Sequence, residues 1–452
     1  MRVVHVPFTY YPEAVGGTEV YVAELARELG ALGIESVVAA PASDDAGARY
    51  EYDGVPVHRF AVSPATDVRD LYGDGDAASA AALDAIVADV HADVLHLHAF
   101  TRAASVRAAR AAHRRGVPVV FTYHTPTASC VRGTLLRDGR DPCDGALIER
   151  RCASCLLESR GVPEPVRDVV TAMPARLGAL VAAAGARGPW VTALRARELT
   201  GARHDAFRAL LAEADAVVAV CDWVRTILLR AGAPPGRLLL SRQGTPVRSV
   251  ARLPAPESDA PLRLAFVGRL HPTKGLHVVL AALAARRDLA VSFDIFGVAQ
   301  DLDAARYGEA LERLATNDGR VSLRPPLPPE QVVPTLAGYH ATVVPSQWLE
   351  TGPLTVLESF AAGVPVIGSN LGGIAELVTH DRDGWLVPHA STTAWETALA
   401  RLASDRRLGA RLRAGVRPPR TTTDVARDMA TLYASIVPRA SRSVYAIAGG
   451  IT

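Results

Sequence analysis

Residues 346–376 read SQWLETGPLTVLESFAAGVPVIGSNLGGIAE and contain the most informative motif of the chain. Glu350 and Glu358 are separated by seven residues, and Gly352 and Pro353 directly precede a helical run. Proline suits the first position of a helix, where its missing N–H costs nothing, so the free amides of that first turn can face an anion. The stretch therefore predicts a helix whose start is a phosphate site.

Two further features of this half indicate ligand binding. Glu358 falls on an apolar helix face, where a carboxylate needs hydrogen-bond donors. Vicinal sugar hydroxyls would supply them, and an ion pair with a surface arginine is the alternative. Upstream, residues 268–275 read GRLHPTKG between a strand and a helix. Arg269 and Lys274 would converge there on a diphosphate, unless the segment is an ordinary loop with solvated cations.

The order of strand, glycine loop and helix occurs in both halves of the chain. It begins at residue 3 and begins again at residue 262, and an apolar stripe with helical spacing follows each loop. Alternation of this kind is typical of parallel sheets covered on both faces. We therefore predict an α/β fold of two Rossmann-like domains facing a cleft. The other candidate strands are 36–40, 94–97, 117–121, 216–220, 291–296, 321–323, 341–344 and 364–367.

Composition shifts divide the chain into five parts. We expect an N-terminal Rossmann-like domain over 1–247, interrupted by a Cys-rich and helical insertion over about 125–210. Residues 248–261 are rich in Pro, Ser and Ala and indicate a linker. The second domain follows over 262–423. A helix over 424–440 is expected to return to the first domain, before a tail over 441–452.

The composition also excludes some classes of protein. The chain has 452 residues, 49% apolar and 21% charged, which favours packed domains over disorder. A net charge of +2 and 6% aromatic residues argue against a nucleic-acid partner.

We find no secretory signal and no apolar segment near the ~20 residues of a membrane span, and so expect a cytoplasmic protein. The basic run 102–115 and the helical segment 161–208 suggest peripheral contact with anionic lipid at the inner face of the membrane, with solvated helix faces as the alternative.

Four of the five cysteines are crowded into one segment. Cys130, Cys143, Cys152 and Cys155 have intervening gaps of 12, 8 and 2 residues. Four thiolates suit tetrahedral Zn²⁺ at about 2.3 Å, or an iron–sulfur cluster, and disulfides or free thiols are the competing states. We predict structural zinc that pins the loop after His124 and shapes an acceptor pocket.

Several motifs together resemble one enzyme family. Arg269, Lys274 and the Glu350/Glu358 pair, with Pro345-Ser346 before it and residues 361–367 after it, are similar to retaining nucleotide-sugar glycosyltransferases of the GT-B fold, family-4 type. The segment 15–33, VGGTEVYVAELARELGALG, resembles that family's first glycine loop and helix, and the likeness extends over about 1–437.

The resemblance implies a hexosyltransferase-type enzyme. Sugar would move from a nucleoside-diphosphate sugar, UDP preferred over GDP, to an unidentified acceptor by front-face transfer. Polysaccharide, glycolipid and natural-product biosynthesis are the pathways implied, and no catalytic metal is expected. A nucleotide-sugar epimerase or hydrolase of the same fold and a non-catalytic binding protein are the rivals.

The resemblance also assigns roles in the second domain. Glu358 would hold the ribose hydroxyls and Glu350 the hydroxyls of the donor sugar. Arg269 and Lys274 would bind the two phosphates and stabilise the departing diphosphate. The amides around Gly352 and Leu354 would complete that site, and Gly297 and Arg324 match positions near the base.

In the first domain the implied residues are two glycines and two histidines. Gly16 and Gly17 would let the backbone approach the donor phosphate or the acceptor, or simply form a tight turn. His124 matches a histidine near the transferred sugar, although a histidine at the end of a strand is often structural. His96 and His98 alternate along a strand and could face opposite sides. His98 is the better candidate for the site, and His96 the better candidate for a packed core residue.

Overall fold

The strands of the first unit are short apolar runs buried on both faces, which is the pattern of a parallel sheet covered by helices. The computed structural model describes residues 1–13, 16–42, 47–62, 71–246, 261–299 and 302–438. Contacts divide the chain into one unit of Met1–Arg242 with the helical residues from Val425, and a second unit of Gln243–Asp424. The predicted linker, apart from its last residue, and the predicted tail lie outside the described residues.

The first unit contains a sheet of eight strands. Their order is β10-β9-β6-β5-β1-β2-β4-β3, and all neighbours are parallel except β3 and β4. The strands of this unit, including a separate two-stranded hairpin of β7 and β8, are β1 (Arg2–Val6), β2 (Glu35–Ala42), β3 (Arg49–Tyr52), β4 (Val55–Ala61), β5 (Val94–Leu97), β6 (Val119–Tyr123), β7 (Leu136–Arg137), β8 (Asp141–Pro142), β9 (Ala216–Ala219) and β10 (Leu238–Leu240).

Helices cover both faces of this sheet. One face packs against α1 and against the helix of residues Thr422–Ile436, which comes late in the sequence. The other face packs against α2, α3, α8 and α9. The helices are α1 (Gly17–Ala31), α2 (Ala77–Asp89), α3 (Val106–Arg114), α4 (Glu149–Glu158), α5 (Glu164–Ala172), α6 (Ala175–Ala183), α7 (Pro189–Leu194), α8 (Ala196–Glu213) and α9 (Asp222–Ala231). The region predicted as an insertion holds the β7–β8 hairpin and the helices from α4 into α8.

The second unit contains six parallel strands in the order β13-β12-β11-β14-β15-β16. Its strands are β11 (Leu262–Arg269), β12 (Val291–Val298), β13 (Val321–Arg324), β14 (Ala341–Val344), β15 (Val366–Ser369) and β16 (Gly384–Val387). Its helices are α10 (Leu276–Ala285), α11 (Leu302–Ala315), α12 (Pro329–Leu336), α13 (Leu354–Ala361), α14 (Gly372–Leu377), α15 (Thr392–Ser404) and α16 (Arg406–Gly415). The predicted α/β fold with two Rossmann-like parallel sheets is confirmed.

The chain crosses from one unit to the other at two places. Thr245 pairs with Thr421 in a β-bridge, so the chain joins the second unit just before the end of the predicted first domain. The last helix, α17 (Thr422–Ile436), belongs to the first unit from Val425 onward. Its Tyr433 is fully buried there, with its hydroxyl 2.7 Å from Nδ1 of His96. Among the described residues, none of the helices combines the length and apolar content that a bilayer span requires.

Candidate functional site

Two loops of the second unit meet at the carboxyl ends of β11 and β14. Gly275 follows the first loop with φ +73°, and a Cβ atom on it would lie 1.9 Å from the carbonyl oxygen of Pro345. The amide of Gln347 donates to the carbonyl oxygen of Thr273 at 2.7 Å. Glycine is therefore required at 275, since any side chain would push the loops apart. This close approach brings Lys274 beside the segment that contains Glu350.

Lys274 and Glu350 form an ion pair in which the carboxylate is buried and the ammonium group is partly exposed. Nζ of Lys274 donates to Oε1 of Glu350 at 2.6 Å, and the hydroxyl of Ser346 donates to the same oxygen at 2.7 Å. Burial alone would raise the pKa of Glu350, but the adjacent ammonium and these hydrogen bonds hold that pKa below its usual range. The resemblance assigned the two side chains to different parts of a donor, whereas here they bind each other.

A pair of glycines holds the backbone of Glu350 in place. The amide of Gly373 donates to the carbonyl oxygen of Glu350 at 2.7 Å. A Cβ atom on Gly372 or Gly373 would lie within 3.0 Å of Glu350 backbone atoms. The start of α14 can therefore rest directly on this segment, and the position of Glu350 depends on three loops rather than one.

The helix after Glu350 begins one residue later than expected. Pro353 was predicted at the first helical position, but it is the N-cap residue, and α13 begins at Leu354. The carbonyl oxygen of Pro353 accepts from the amide of Val356 at 3.0 Å. Gly352 packs against Gln243, whose Oε1 would lie 2.3 Å from a Cβ atom at position 352.

Glu358 lies in the middle of α13. Its side chain is partly buried, and burial raises the pKa of its carboxyl group to about 7. Among the described residues it has neither a hydrogen-bond donor nor a cation as partner, so the alternative of an arginine ion pair is not observed. This desolvated acceptor would be stabilised by hydroxyl donors from a ligand.

The remaining residues predicted in the second unit end neighbouring strands. Arg269 is the last residue of β11 and is partly exposed. Gly297, near the end of β12, makes room for Leu270, whose Cδ2 would lie 2.3 Å from a Cβ atom at 297. Arg324 ends β13, is half exposed, and pairs with Asp294 at 2.7 Å. Because ligands of parallel α/β sheets bind beyond these strand ends, all three positions suit a ligand site.

A chain of buried histidines crosses the first unit. Nδ1 of His5 lies 3.0 Å from Nε2 of His98, and Nδ1 of His98 lies 3.0 Å from Nε2 of His124. Nε2 of His5 lies 3.3 Å from the hydroxyl of Ser36. Burial lowers the pKa of His5 and of His124 to about 3, so both rings are neutral near pH 7. Sequence analysis missed His5, whose position in the first buried strand was the available signal.

His96 and His98 do not face opposite sides as expected. Their ring centroids are 3.9 Å apart, and both side chains are fully buried. The expectation was wrong because alternation along a strand places residues two apart, such as 96 and 98, on the same face. His96 bonds to Tyr433 and to Thr122, each at 2.7 Å, as a packed core residue would.

The glycine loop of the first unit leads directly into α1. Gly16 is the N-cap residue, and its amide donates to the Glu19 carboxylate at 2.8 Å, while Gly17 begins the helix. A Cβ atom on Gly16 would make only ordinary contact at 3.4 Å, to Glu19. Contacts with the described residues therefore do not require glycine at 16, and ligand approach and a tight turn both stay as its predicted roles.

The four clustered cysteines surround the β7–β8 hairpin as reduced thiols. Sγ of Cys155 donates to the carbonyl oxygen of Leu136 at 3.6 Å, and burial, together with the Cys130 and Cys143 thiols, raises the pKa of Cys152 to about 11. Within the described ranges, the one set of three His, Cys, Asp or Glu ligand atoms all within 4.8 Å of one another is His5, His96 and His98. No three of the four cysteine sulfurs therefore lie within 4.8 Å of one another, and zinc at this cluster remains a prediction.

Family comparisons match both units. Residues 16–159 match "Glycosyl transferase 4-like domain", and residues 252–417 match "Glycosyl transferases group 1". A D-inositol 3-phosphate glycosyltransferase of Acidothermus cellulolyticus is 28% identical over 407 residues, which cover 86% of this chain and 78% of that protein.

Solved structures show the same fold over nearly the whole chain. A sucrose-phosphate synthase from Thermosynechococcus elongatus aligns with a TM-score of 0.65 at 19% identity, over 96% of this chain and 98% of that one. HepE of Anabaena, in complex with UDP and glucose, aligns with a TM-score of 0.63 at 15% identity, over 96% and 99% of the two chains.

Proposed function

The chain is a glycosyltransferase of the GT-B fold, a 4-like domain followed by a group 1 domain, and we propose that it transfers a sugar from a nucleoside-diphosphate sugar with retention of anomeric configuration. One observation carries this proposal. Among the described residues of the second unit, Glu358 has no hydrogen-bonding or charged partner for its partly buried carboxyl group, which lies about one helical turn after the start of α13 and eight residues along the chain from Glu350, the partner of Lys274. A ligand with vicinal hydroxyls and a diphosphate supplies what these groups lack.

The proposed roles follow from charge and geometry. Glu358 accepts hydrogen bonds from both ribose hydroxyls of the donor. Lys274 has two N–H bonds beyond the one that Glu350 accepts, and with Arg269 it binds the diphosphate. As the glycosidic bond breaks, negative charge grows on the departing phosphate, and these cations with the amides near Gly352 and Leu354 stabilise it.

Glu350 would hold the donor sugar through the oxygen that Lys274 does not use. Its lowered pKa keeps it an acceptor over the physiological range. The departing phosphate then receives the proton of the acceptor hydroxyl, which attacks from the same face. No protein nucleophile and no catalytic metal is required in this scheme, which relies on positioning and electrostatics.

In the first unit, His124 is proposed to contact the transferred sugar, with Gly17 and His98 on the acceptor side. Because its pKa is lowered to about 3, His124 acts as a neutral hydrogen-bonding group rather than as a cation. A groove of about 480 Å³ lies nearby in the same unit, lined by Thr127, Cys130 and Arg132 among others.

UDP is the proposed nucleotide, supported by HepE, which was solved with UDP and glucose. The D-inositol 3-phosphate glycosyltransferase relative makes inositol phosphates the first acceptors to test.

The deciding experiment has two stages. Thermal shifts with UDP-, GDP- and ADP-sugars identify the donor, and NMR of the product with inositol phosphate and with oligosaccharide acceptors gives the anomeric configuration. We expect stabilisation by one nucleotide class and a retained anomer. An inverted anomer would contradict the mechanism. Turnover of donor alone, with no glycosylated product from any acceptor, would point to a hydrolase or epimerase.

For the cysteine cluster we propose a structural zinc ion. The hairpin flanked by Cys130 and Cys143 packs beside α4, which presents Cys152 and Cys155 three residues apart on one face. Elemental analysis of protein purified without chelators should give one zinc per chain, and a Cys152→Ser/Cys155→Ser variant should lose it. Iron with visible absorption would identify an iron–sulfur cluster instead. The absence of both zinc and iron would refute the metal site.

A further inference from the structure

Three short helices of the insertion are barely buried. The fully described helices α5, α6 and α7 bury one residue each, namely Thr171, Gly178 and Val191. Twelve large apolar side chains are exposed in the described part of the chain, and five of them fall within the 25 residues from 166 to 190. We call these five residues the insertion face: Val166, Val169, Leu177, Leu180 and Trp190.

The exposed side chains are arranged along neighbouring helices. Val166 and Val169 share one side of α5, and Leu177 and Leu180 share one side of α6, because residues three apart lie together on a helix. Helix α7 contacts both α5 and α6, and α6 rests on α8. Gly178 permits the close packing of α6 against the end of α7, since a Cβ atom at 178 would lie 2.5 Å from the carbonyl oxygen of Leu194.

The charge beside the apolar residues of α6 and α7 is of one sign, whereas α5 also carries the exposed acids Glu164 and Asp168, and its Arg167 pairs with Asp138. Between Val169 and Leu194 the sequence holds two charged residues, Arg176 and Arg187, and both are exposed. In the other basic run, residues 102–115, acids engage two of the five arginines. There Arg110 pairs with Asp74 and Glu213, and Arg115 pairs with Asp84. An anionic surface is therefore better complemented by α6 and α7 of the insertion, whose two arginines have no acid beside them in sequence, than by the run at 102–115.

We propose that the insertion face docks this protein on an anionic lipid bilayer. Exposed leucine, valine and tryptophan with interspersed arginine are the composition of segments that lie in the membrane interface, where tryptophan is enriched. A clustered apolar surface of this kind marks a contact site rather than ordinary surface. A second copy of the chain is the rival occupant, because Arg176 and Arg187 of one copy would meet Glu164 and Asp168 of the other in a symmetric contact, and the vesicle test below separates the two.

The test uses the full chain and vesicles of phosphatidylcholine with or without phosphatidylglycerol. We expect cosedimentation with the anionic vesicles, weaker at moderate salt than at low salt. Leu180→Ser/Trp190→Ser should reduce partitioning at least about tenfold, since each side chain loses its apolar burial. Leu302→Ser/Leu314→Ser is the matched control, because both leucines are exposed on α11 of the second unit. It should bind vesicles like the wild type.

Fluorescence gives a second measurement. Brominated lipid should quench wild-type tryptophan emission, and Trp190→Phe should lose most of that quenching while still binding. Absent vesicle binding, unchanged binding by the serine double variant, or dimerisation that this variant abolishes would each overturn the proposal. Donor-induced thermal shifts without lipid should be equal in all these variants, so failure here is separable from failure of the proposed transfer reaction.

Discussion

The ammonium group of Lys274 lies 2.6 Å from the carboxylate of Glu350, where two loops and the start of α14 meet. Removing one member of a buried pair leaves an uncompensated charge, which costs roughly 3 kcal/mol. We expect Lys274→Met to lower the free energy of unfolding by about that amount and to weaken donor binding, measured by urea denaturation and calorimetry.

The double variant Lys274→Met/Glu350→Leu should recover much of this stability while remaining inactive, because it removes both charges together. Equal stability of Lys274→Met and the wild type would show that the pair is not formed in solution.

Glu358 should make the ligand-free protein less stable as the pH rises. The pKa of Glu358 in the folded protein is about 7, above the ordinary 4.5. The stabilisation of the fold that comes with the protonated carboxyl group is therefore complete below pH 4.5 and is lost as the group ionises through pH 7. Glu358→Gln should therefore melt higher than the wild type at pH 8, with the difference vanishing near pH 4.5. It should bind donor at least about tenfold more weakly. Glu312→Gln, on the exposed side of α11, should change neither quantity.

The buried histidines should make the first unit sensitive to acid. His5 and His124 have folded pKa values near 3 against 6.5 unfolded, so the unfolded state binds more protons below pH 6.5 and stability falls with pH. Each should cost about 1 kcal/mol between pH 7 and pH 5.5. His124→Asn should flatten this decline in denaturation curves, whereas His91→Asn, at an exposed position, should leave the slope unchanged.

Gly275 should tolerate no side chain. Gly275→Ala places a Cβ atom 1.9 Å from the Pro345 carbonyl oxygen at φ +73°, and we expect a loss of roughly 2–4 kcal/mol together with weaker donor binding. Gly33→Ala is the control, with φ +75° and no atom within 4 Å, so it isolates the backbone cost of about 1 kcal/mol. Equal losses in the two variants would contradict the loop contact.

Much of the fold was predictable because buried parallel strands are apolar runs. Strands such as Val94–Leu97 and Ala341–Val344 have the predicted bounds. The antiparallel edge, β3 with β4, was missed because RYEY is polar and half-exposed. Its signal was Asp53-Gly54, where both residues have positive φ and form the turn of a hairpin.

The site was less predictable, because its contacts depend on loops distant in sequence. Motif spacing named Lys274 and Glu350 separately, and nothing local indicated that Gly275 would bring them into contact. The chain from His5 to His124 likewise joins side chains from three separate segments of the sequence, so no pattern within a single strand could predict it.

The first unit is discontinuous in sequence, and this has a consequence for its synthesis. Residues from Val425 complete its core, with Tyr433 bonded to His96 across 337 positions. On the ribosome, the sheet of the first unit must wait for α17, which is translated after the second unit, before one of its faces is closed. A fragment ending before Thr422 would expose that face, so the N-terminal half is a poor candidate for expression on its own.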